Sequence, residues 1–322
     1  MTDLIPRHKH RRFRRIILLL SVLIVSVFLI RYLFFPSKPL SYRQSLLLVT
    51  DTMYIVSRNA FDQRWVILSI PRDTTIAGIQ GYGMYTLDAL WKLGSIEKSG
   101  GVILVKSLED ALGIPLSWYA QDSSIKNLPF TTPIEQVKHV LNILHIATRF
   151  SSRDEKNISL GSLLRFSWDF LWSSSDQVTI IDLAKTNAIG ETDLPDGSKI
   201  LVLRDSAVDR ELNAQFEDSL IRLERLSIAI FNATDYPSLG NHAARIINRI
   251  GGYVVSIGNW QSRVEKCVMS GSKKTLNSYT ARLLTVLFSC SKDTSIVNEK
   301  ADLQIVLGHE YEQRFLPSVQ TN

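Results

Sequence analysis

One run of twenty residues constrains this chain more than any other feature. IILLLSVLIVSVFLIRYLFF (residues 16–35) is apolar apart from two serines and Arg31. At 1.5 Å rise per residue such a helix is about 30 Å long, the thickness of a bilayer's hydrocarbon core. Arg31 sits near the far end, where it can snorkel, and Tyr32 suits the interface. A core helix of a globular protein would be amphipathic and would not open on a cluster of cations. A cleavable signal peptide needs a small-x-small site, and FFPSKP offers none. The run is therefore expected to be a single uncleaved transmembrane signal anchor.

Charge fixes the orientation. Arg7, Lys9, Arg11, Arg12, Arg14 and Arg15 face only Asp3 in residues 1–15, a local excess of five positive charges. Arg31 and Lys38 raise the excess to seven, so the rest of this +6 chain carries about −1. Cations before the span predict a cytoplasmic N-terminus and an extracytoplasmic body. The basic balance belongs to the tail, so a nucleic-acid partner is not expected. Hydrophobic residues make up 45% of the chain, enough for a packed core. Cys267 and Cys290 are compatible with a disulfide in an oxidising compartment or with two buried thiols. Neither stands in a metal-ligand pattern with a histidine.

After a proline-containing linker (36–44), residues 46–49 and 53–57 read as strand. RWVILSIP reads as a second strand in an antiparallel hairpin, with NAFDQ as the turn. Residues 86–93 read as a helix. Residues 100–115 read as another, with Val102, Val105, Leu108 and Leu112 on one face and Gly113 as its stop. LSWYAQ is a strand, residues 141–150 and 160–172 are helical, and DQVTIIDLAK and PDGSKILVLR are strands. Residues 209–226 form one amphipathic helix. From Ser227 the pattern becomes strand, helix (241–250), strand (253–258), helix (277–289), strand, a small α/β unit.

The densest polar set beside a predicted strand is Asp51–Thr52 together with Arg72–Asp73–Thr74. The hairpin brings both to one end of the sheet, where ligands of α/β proteins gather. Arginine presents a fork that matches phosphate oxygens, and a pair of carboxylates can hold Mg²⁺ against a diphosphate. The same residues would also serve as a structural Arg–Asp pair capping a turn.

These stretches carry a resemblance. TDTMYIVSRN, WVILSIPRDTTI, GYGMYTLDALWKLG and LEDALGIPLSWY follow one another as in the LytR-CpsA-Psr family, across residues 46–120. IAIFNAT…GNHAARIINRIGGYVVSIGNW…ADLQIVLGHEY resembles the small C-terminal domain often fused to it. The resemblance implies an α/β sandwich with a mixed sheet and an apolar lipid tunnel. It also implies transfer of glycopolymers from polyprenyl-diphosphate carriers to the cell wall, assisted by Mg²⁺. On this chain it makes Arg72 and Asp73 the catalytic pair, Arg72 and Asp88 the substrate-binding residues, and Asp51 and Asp73 the metal ligands.

The chain departs from the family pattern in three places. No arginine-bearing loop precedes the Asp–Thr pair, Asp88 stands where the family has asparagine, and Arg149, Arg153 and Arg165 are too scattered to stand for its later arginine-rich segment. Two readings stay open: a Mg-assisted glycopolymer phosphotransferase of the envelope, or a catalytically degenerate scaffold that binds a lipid or a protein. The expected layout is a basic tail (1–15), the anchor (16–35), the linker (36–44), a divergent LytR-CpsA-Psr-like domain (45–205), a connecting helix (206–226), the small α/β domain (227–312) and a tail (313–322). The C-terminal unit is expected to bind an envelope protein or glycan. His139, His145, His242 and His309 are read as surface or core residues, and the tryptophans as core packing.

Overall fold

The structure, a computed structural model, describes residues 20–21, 25–27, 43–59, 61–79, 81–121, 156–294 and 300–315. Most of the expected anchor, and the expected helix at 141–150, lie outside these residues. Among the described residues no helix is long and apolar enough to cross a membrane.

The strands, in chain order, are β1 (Arg43–Val49), β2 (Thr52–Asn59), β3 (Trp65–Pro71), β4 (Thr74–Ala77), β5 (Met84–Thr86), β6 (Trp118–Gln121), β7 (Val178–Asp182), β8 (Ile189–Asp193), β9 (Lys199–Leu203), β10 (Ser227–Asn232), β11 (Tyr253–Asn259), β12 (Val268–Gly271), β13 (Ser291–Asp293) and β14 (Leu303–Leu307). The helices are α1 (Leu87–Ile96), α2 (Val102–Leu112), α3 (Leu160–Leu171), α4 (Asp205–Glu211), α5 (Ser219–Glu224), α6 (Leu239–Arg249), α7 (Lys273–Leu276), α8 (Tyr279–Phe288) and α9 (His309–Glu312).

The main sheet runs β6-β1-β2-β3-β7. Its centre is an antiparallel meander, with Val49 opposite Met53 and Thr52 opposite Pro71. β6 joins β1 in parallel and β7 joins β3 in parallel, so the sheet is mixed. Nearly every residue of β1 to β3 is buried, which explains their continuous rather than alternating apolar sequence. Leu47, Val49, Met53, Ile55 and Leu68 share a cluster with Leu90 of α1 and Leu104 and Leu108 of α2. On the other face Leu46, Leu48, Tyr54, Val56, Trp65 and Ile67 pack on Leu163, Phe166 and Phe170 of α3. The Trp65 ring meets Phe166 and Phe170 edge-on at 5.0 and 4.9 Å, so this face is closed by aromatic packing.

Helix α1 starts at Thr86, whose hydroxyl accepts from the Ala89 amide at 3.2 Å. Helix α2 stops at Gly113, in the left-handed region at φ 67°. The turn between the two helices lies tight against α1: a Cβ on Gly94 would meet the Gly100 carbonyl oxygen at 1.9 Å. The face expected for α2 needs one correction. Val102 is exposed, and Ile103 and Leu104 are buried with Val105, Leu108 and Leu112, so the buried face is wider than the expected one and begins one residue later.

A small sheet, β5-β4-β9-β8, leaves the main sheet after the Arg72–Asp73 turn. The last sheet runs β11-β10-β14-β12-β13, with Cys267 and Cys290 joined by a disulfide beside β12 and β13. The single helix expected over 209–226 is two helices. Ala214 adopts φ 64°, and Asp218 starts α5 by accepting from the Leu220 amide at 2.9 Å. The buried Phe216 lies between them. One hydrophobic cluster is continuous from the first sheet into β10, β14, α6 and α8.

Candidate functional site

The register of β2 against β3 sets the site. With Thr52 opposite Pro71, the Thr50–Asp51 turn and the Arg72–Asp73 turn emerge side by side at one end of the main sheet. The turn at Thr50 is braced locally: its hydroxyl accepts from the Thr52 amide at 3.3 Å and donates to the Thr52 carbonyl. That leaves the Thr50 carbonyl facing the next turn, and Arg72 Nη1 donates to it at 3.0 Å.

The other terminal nitrogen of Arg72 pairs with Asp88, in the first turn of α1. The Asp88 backbone amide donates to the Arg72 carbonyl at 3.0 Å, so the helix start and the turn are tied twice. Lys92, one turn further along α1, places Nζ 2.6 Å from the other Asp88 oxygen. Arg72 and Asp88 are each about a quarter exposed, whereas Lys92 is largely in solvent. Burial pushes the Asp88 carboxyl up, but the hydrogen bond from Lys92 and the charge and hydrogen bond of Arg72 outweigh it and hold it below its ordinary value of 3.8.

Asp51 and Asp73 are exposed, one on each turn, and neither is paired with a described cation. Thr74, next in the chain, is fully buried, and its hydroxyl has no hydrogen-bond partner among the described residues. One strand over, Asp182 accepts from the Ser69 hydroxyl at 3.0 Å and the Ala184 amide at 3.2 Å, which caps the end of β7.

Thus Arg72 and Asp88 are brought into contact, while Asp51 and Asp73 flank them without touching a cation. Lys92 and the Thr50 carbonyl were missing from the sequence reading. Lys92 was findable as the i+4 partner of Asp88. A backbone carbonyl leaves no such signal.

The five side chains sum to one negative charge: Asp51, Asp73 and Asp88 against Arg72 and Lys92. A diphosphate brought here would need additional positive charge. Among the described residues no group of three or more His, Cys, Asp or Glu side chains converges to hold a metal. Mg²⁺ often uses only one or two carboxylates when phosphate oxygens complete its shell. The two exposed carboxylates, Asp51 and Asp73, are the donors such an ion would have here.

No protein-family model matches the chain, and no curated protein matches it. Solved structures do. The chain is similar to the LytR-CPS2A-psr family protein YwtF (TagT) with bound octaprenyl pyrophosphate lipid, at 16% identity and a TM-score of 0.37, over 54% of this chain and 88% of that one. It is similar to TagT bound to LIIa-WTA, at 15% identity and a TM-score of 0.37, over 54% of this chain and 91% of that one. It is also similar to TagV of B. subtilis, at 12% identity and a TM-score of 0.37, over 53% of this chain and 94% of that one.

Proposed function

We propose that this chain is an extracytoplasmic, membrane-tethered LytR-CpsA-Psr-like protein that handles polyprenyl-diphosphate-linked glycopolymers for attachment to the cell wall. The observation that carries the reading is the position of Arg72. Its guanidinium stands at the end of the main sheet, held by Asp88 and the Thr50 carbonyl, with the exposed Asp51 and Asp73 on the same two turns. Such a fork can exchange a carboxylate for a diphosphate, because both offer paired oxygens of the same reach. When it does, Lys92 remains to balance Asp88. Asp51 and Asp73 are the residues that would hold Mg²⁺, which would supply the charge neutralisation that phosphoryl chemistry needs. The Cys267–Cys290 disulfide agrees with an oxidising compartment outside the cytoplasm.

A second reading has its own support. Arg72 is already satisfied by two partners, and the site is net negative, which favours a scaffold that binds the lipid-linked polymer without turning it over. One experiment separates the two. The full chain in detergent is given an octaprenyl diphosphate and Mg²⁺, and binding and phosphate release are measured. Turnover that disappears in Arg72→Ala supports the transferase. Binding without release supports the scaffold. Binding unchanged in Arg72→Ala removes this site from both readings.

A further inference from the structure

The opposite end of the main sheet carries a feature the proposed site does not use. Helix α3 buries Leu163, Phe166 and Phe170, yet Trp168 and Trp172 on its outer side are 52% and 75% exposed. Their rings lie 5.8 Å apart. Indole side chains are large and apolar, and exposing two adjacent ones to water is unfavourable unless something covers them. Phe61, in the turn between β2 and β3, is exposed as well, at 56%.

These aromatics belong to one end of the fold. Arg43, where β1 starts, is opposite Asn59, where β2 ends and the Phe61 turn begins. Trp65, where β3 starts, is opposite Val178, where β7 starts, and α3 leads into β7 through residues 173–177. An ion pair of 2.5 Å between Arg58 of β2 and Asp169 of α3 pins the helix end to this end of the sheet. Asp169 is the residue next to Trp168.

The chain also enters the domain here. Seven residues separate Phe35 from Arg43, and seven residues span at most about 25 Å even fully extended. A domain tethered by residues 16–35 therefore keeps this end close to the membrane surface. The Arg72 end lies about 20 Å from this end, one strand length away. Tryptophan is the residue that best suits the boundary between headgroups and acyl chains.

We propose that Trp168, Trp172 and Phe61 form a bilayer-contact surface that rests the domain on the outer face of the membrane with the Arg72 end turned toward the wall. The inference rests on the tethered reading above. The full chain is reconstituted into vesicles of phosphatidylcholine and phosphatidylglycerol, with and without lipids brominated near the headgroup, and its tryptophan emission is measured. Bromolipid quenching is expected in the wild type. It is expected to be reduced in Trp172→Ala and lost in Trp168→Ala/Trp172→Ala, and to return when Phe61→Trp is added to that background. Trp260→Ala, in the C-terminal unit, should leave it unchanged. The single Trp172→Ala variant removes a mostly exposed ring, so its far-UV circular dichroism and urea midpoint should stay native and the test does not depend on the double variant folding.

Undiminished quenching in the double variant overturns the proposal. So does a wild type that is not quenched but forms a dimer that Trp172→Ala breaks, because the pair would then cover a second copy of the chain. Alkaline carbonate extraction provides the separate control. Release of the wild type from the vesicles sinks the tether itself, whereas retention without aromatic-dependent quenching sinks only the contact surface.

Discussion

Arg72 and Asp88 are bound to each other twice, side chain to side chain and backbone to backbone, the amide of Asp88 donating to the carbonyl of Arg72 at 3.0 Å. The two links separate under mutation. Asp88→Asn keeps the backbone bond and removes the charge that holds the guanidinium, so the stability cost should be about 1 kcal/mol or less for a pair this exposed. Affinity for octaprenyl diphosphate should rise, because Arg72 then leaves a neutral amide rather than a carboxylate and the site loses a negative charge. Arg72→Ala removes the fork and should weaken binding by about tenfold or more. Calorimetric titration of the full-length variants checks both. Equal affinity in Asp88→Asn and wild type would show that the pair does not compete with ligand.

Acid should destabilise the fold through two identified carboxylates. Asp88 is held below 3.8, as described above. Burial pushes Glu224 up from its ordinary 4.5, but it accepts the Tyr279 and Thr280 amides at the start of α8, at 2.8 and 2.7 Å, and ends below that value. Both folded values are depressed, so the stabilisation is fully present above the ordinary values and is lost as pH falls through the folded ones. Urea midpoints should hold steady above about pH 5 and fall below about pH 4.5. Glu224→Gln and Asp88→Asn should each make that fall shallower, and an unchanged profile in both variants would assign the acid sensitivity elsewhere.

The elements and the site differed in how readable they were, for reasons seen in particular residues. β1 to β3 were legible because they are buried on both faces and leave unbroken apolar runs. The PRDT step was legible because a proline, a cation and an anion ending such a run are conspicuous. Residues 209–226 misled because their charges keep a helical spacing. The break depends on Phe216 turning into the core and on Asp218, which accepts from the Tyr279 hydroxyl at 2.5 Å across 61 residues. The Thr50 carbonyl that orients Arg72 is backbone, which no residue type announces. The two cysteines pair because β12 and β13 lie next to each other, a neighbour relation that the spacing of the cysteines does not show.

That disulfide closes a loop of 23 residues around α7 and α8. Constraining the unfolded chain over such a loop contributes about 3 kcal/mol. Reduction, or Cys267→Ala/Cys290→Ala, should lower the thermal midpoint of the chain, and local hydrogen exchange should quicken in β12 and α8 more than in β1 to β3. A midpoint independent of reductant would show that packing alone holds this sheet.

The strongest test of how the two halves act together lies along α6. His242, Arg245 and Arg249 sit on one side of the helix and reach across to α2 and α4. His242 pairs with Asp110, and Arg245 donates to the Asp110 carbonyl at 3.3 Å and to Asp209 at 3.1 Å. Arg249 is the most enclosed of the three: its Nε donates to the Leu112 carbonyl at 3.2 Å, its Nη1 donates to the Asp209 carbonyl at 3.3 Å, and its Nη2 pairs with the Asp209 carboxylate. Removing a buried, fully used guanidinium strands its acceptors, so Arg249→Met should cost about 2–4 kcal/mol. Asp209→Asn should cost less, because Asp209 is half exposed and keeps its backbone contact. A double-mutant cycle should return a coupling of about 1–3 kcal/mol. The continuous hydrophobic cluster beneath these residues implies that both halves unfold together, so the loss should appear as one shifted urea transition. Two separated transitions in the wild type would mean that the seam is a contact between independent units, and that the C-terminal unit can move without disturbing Arg72.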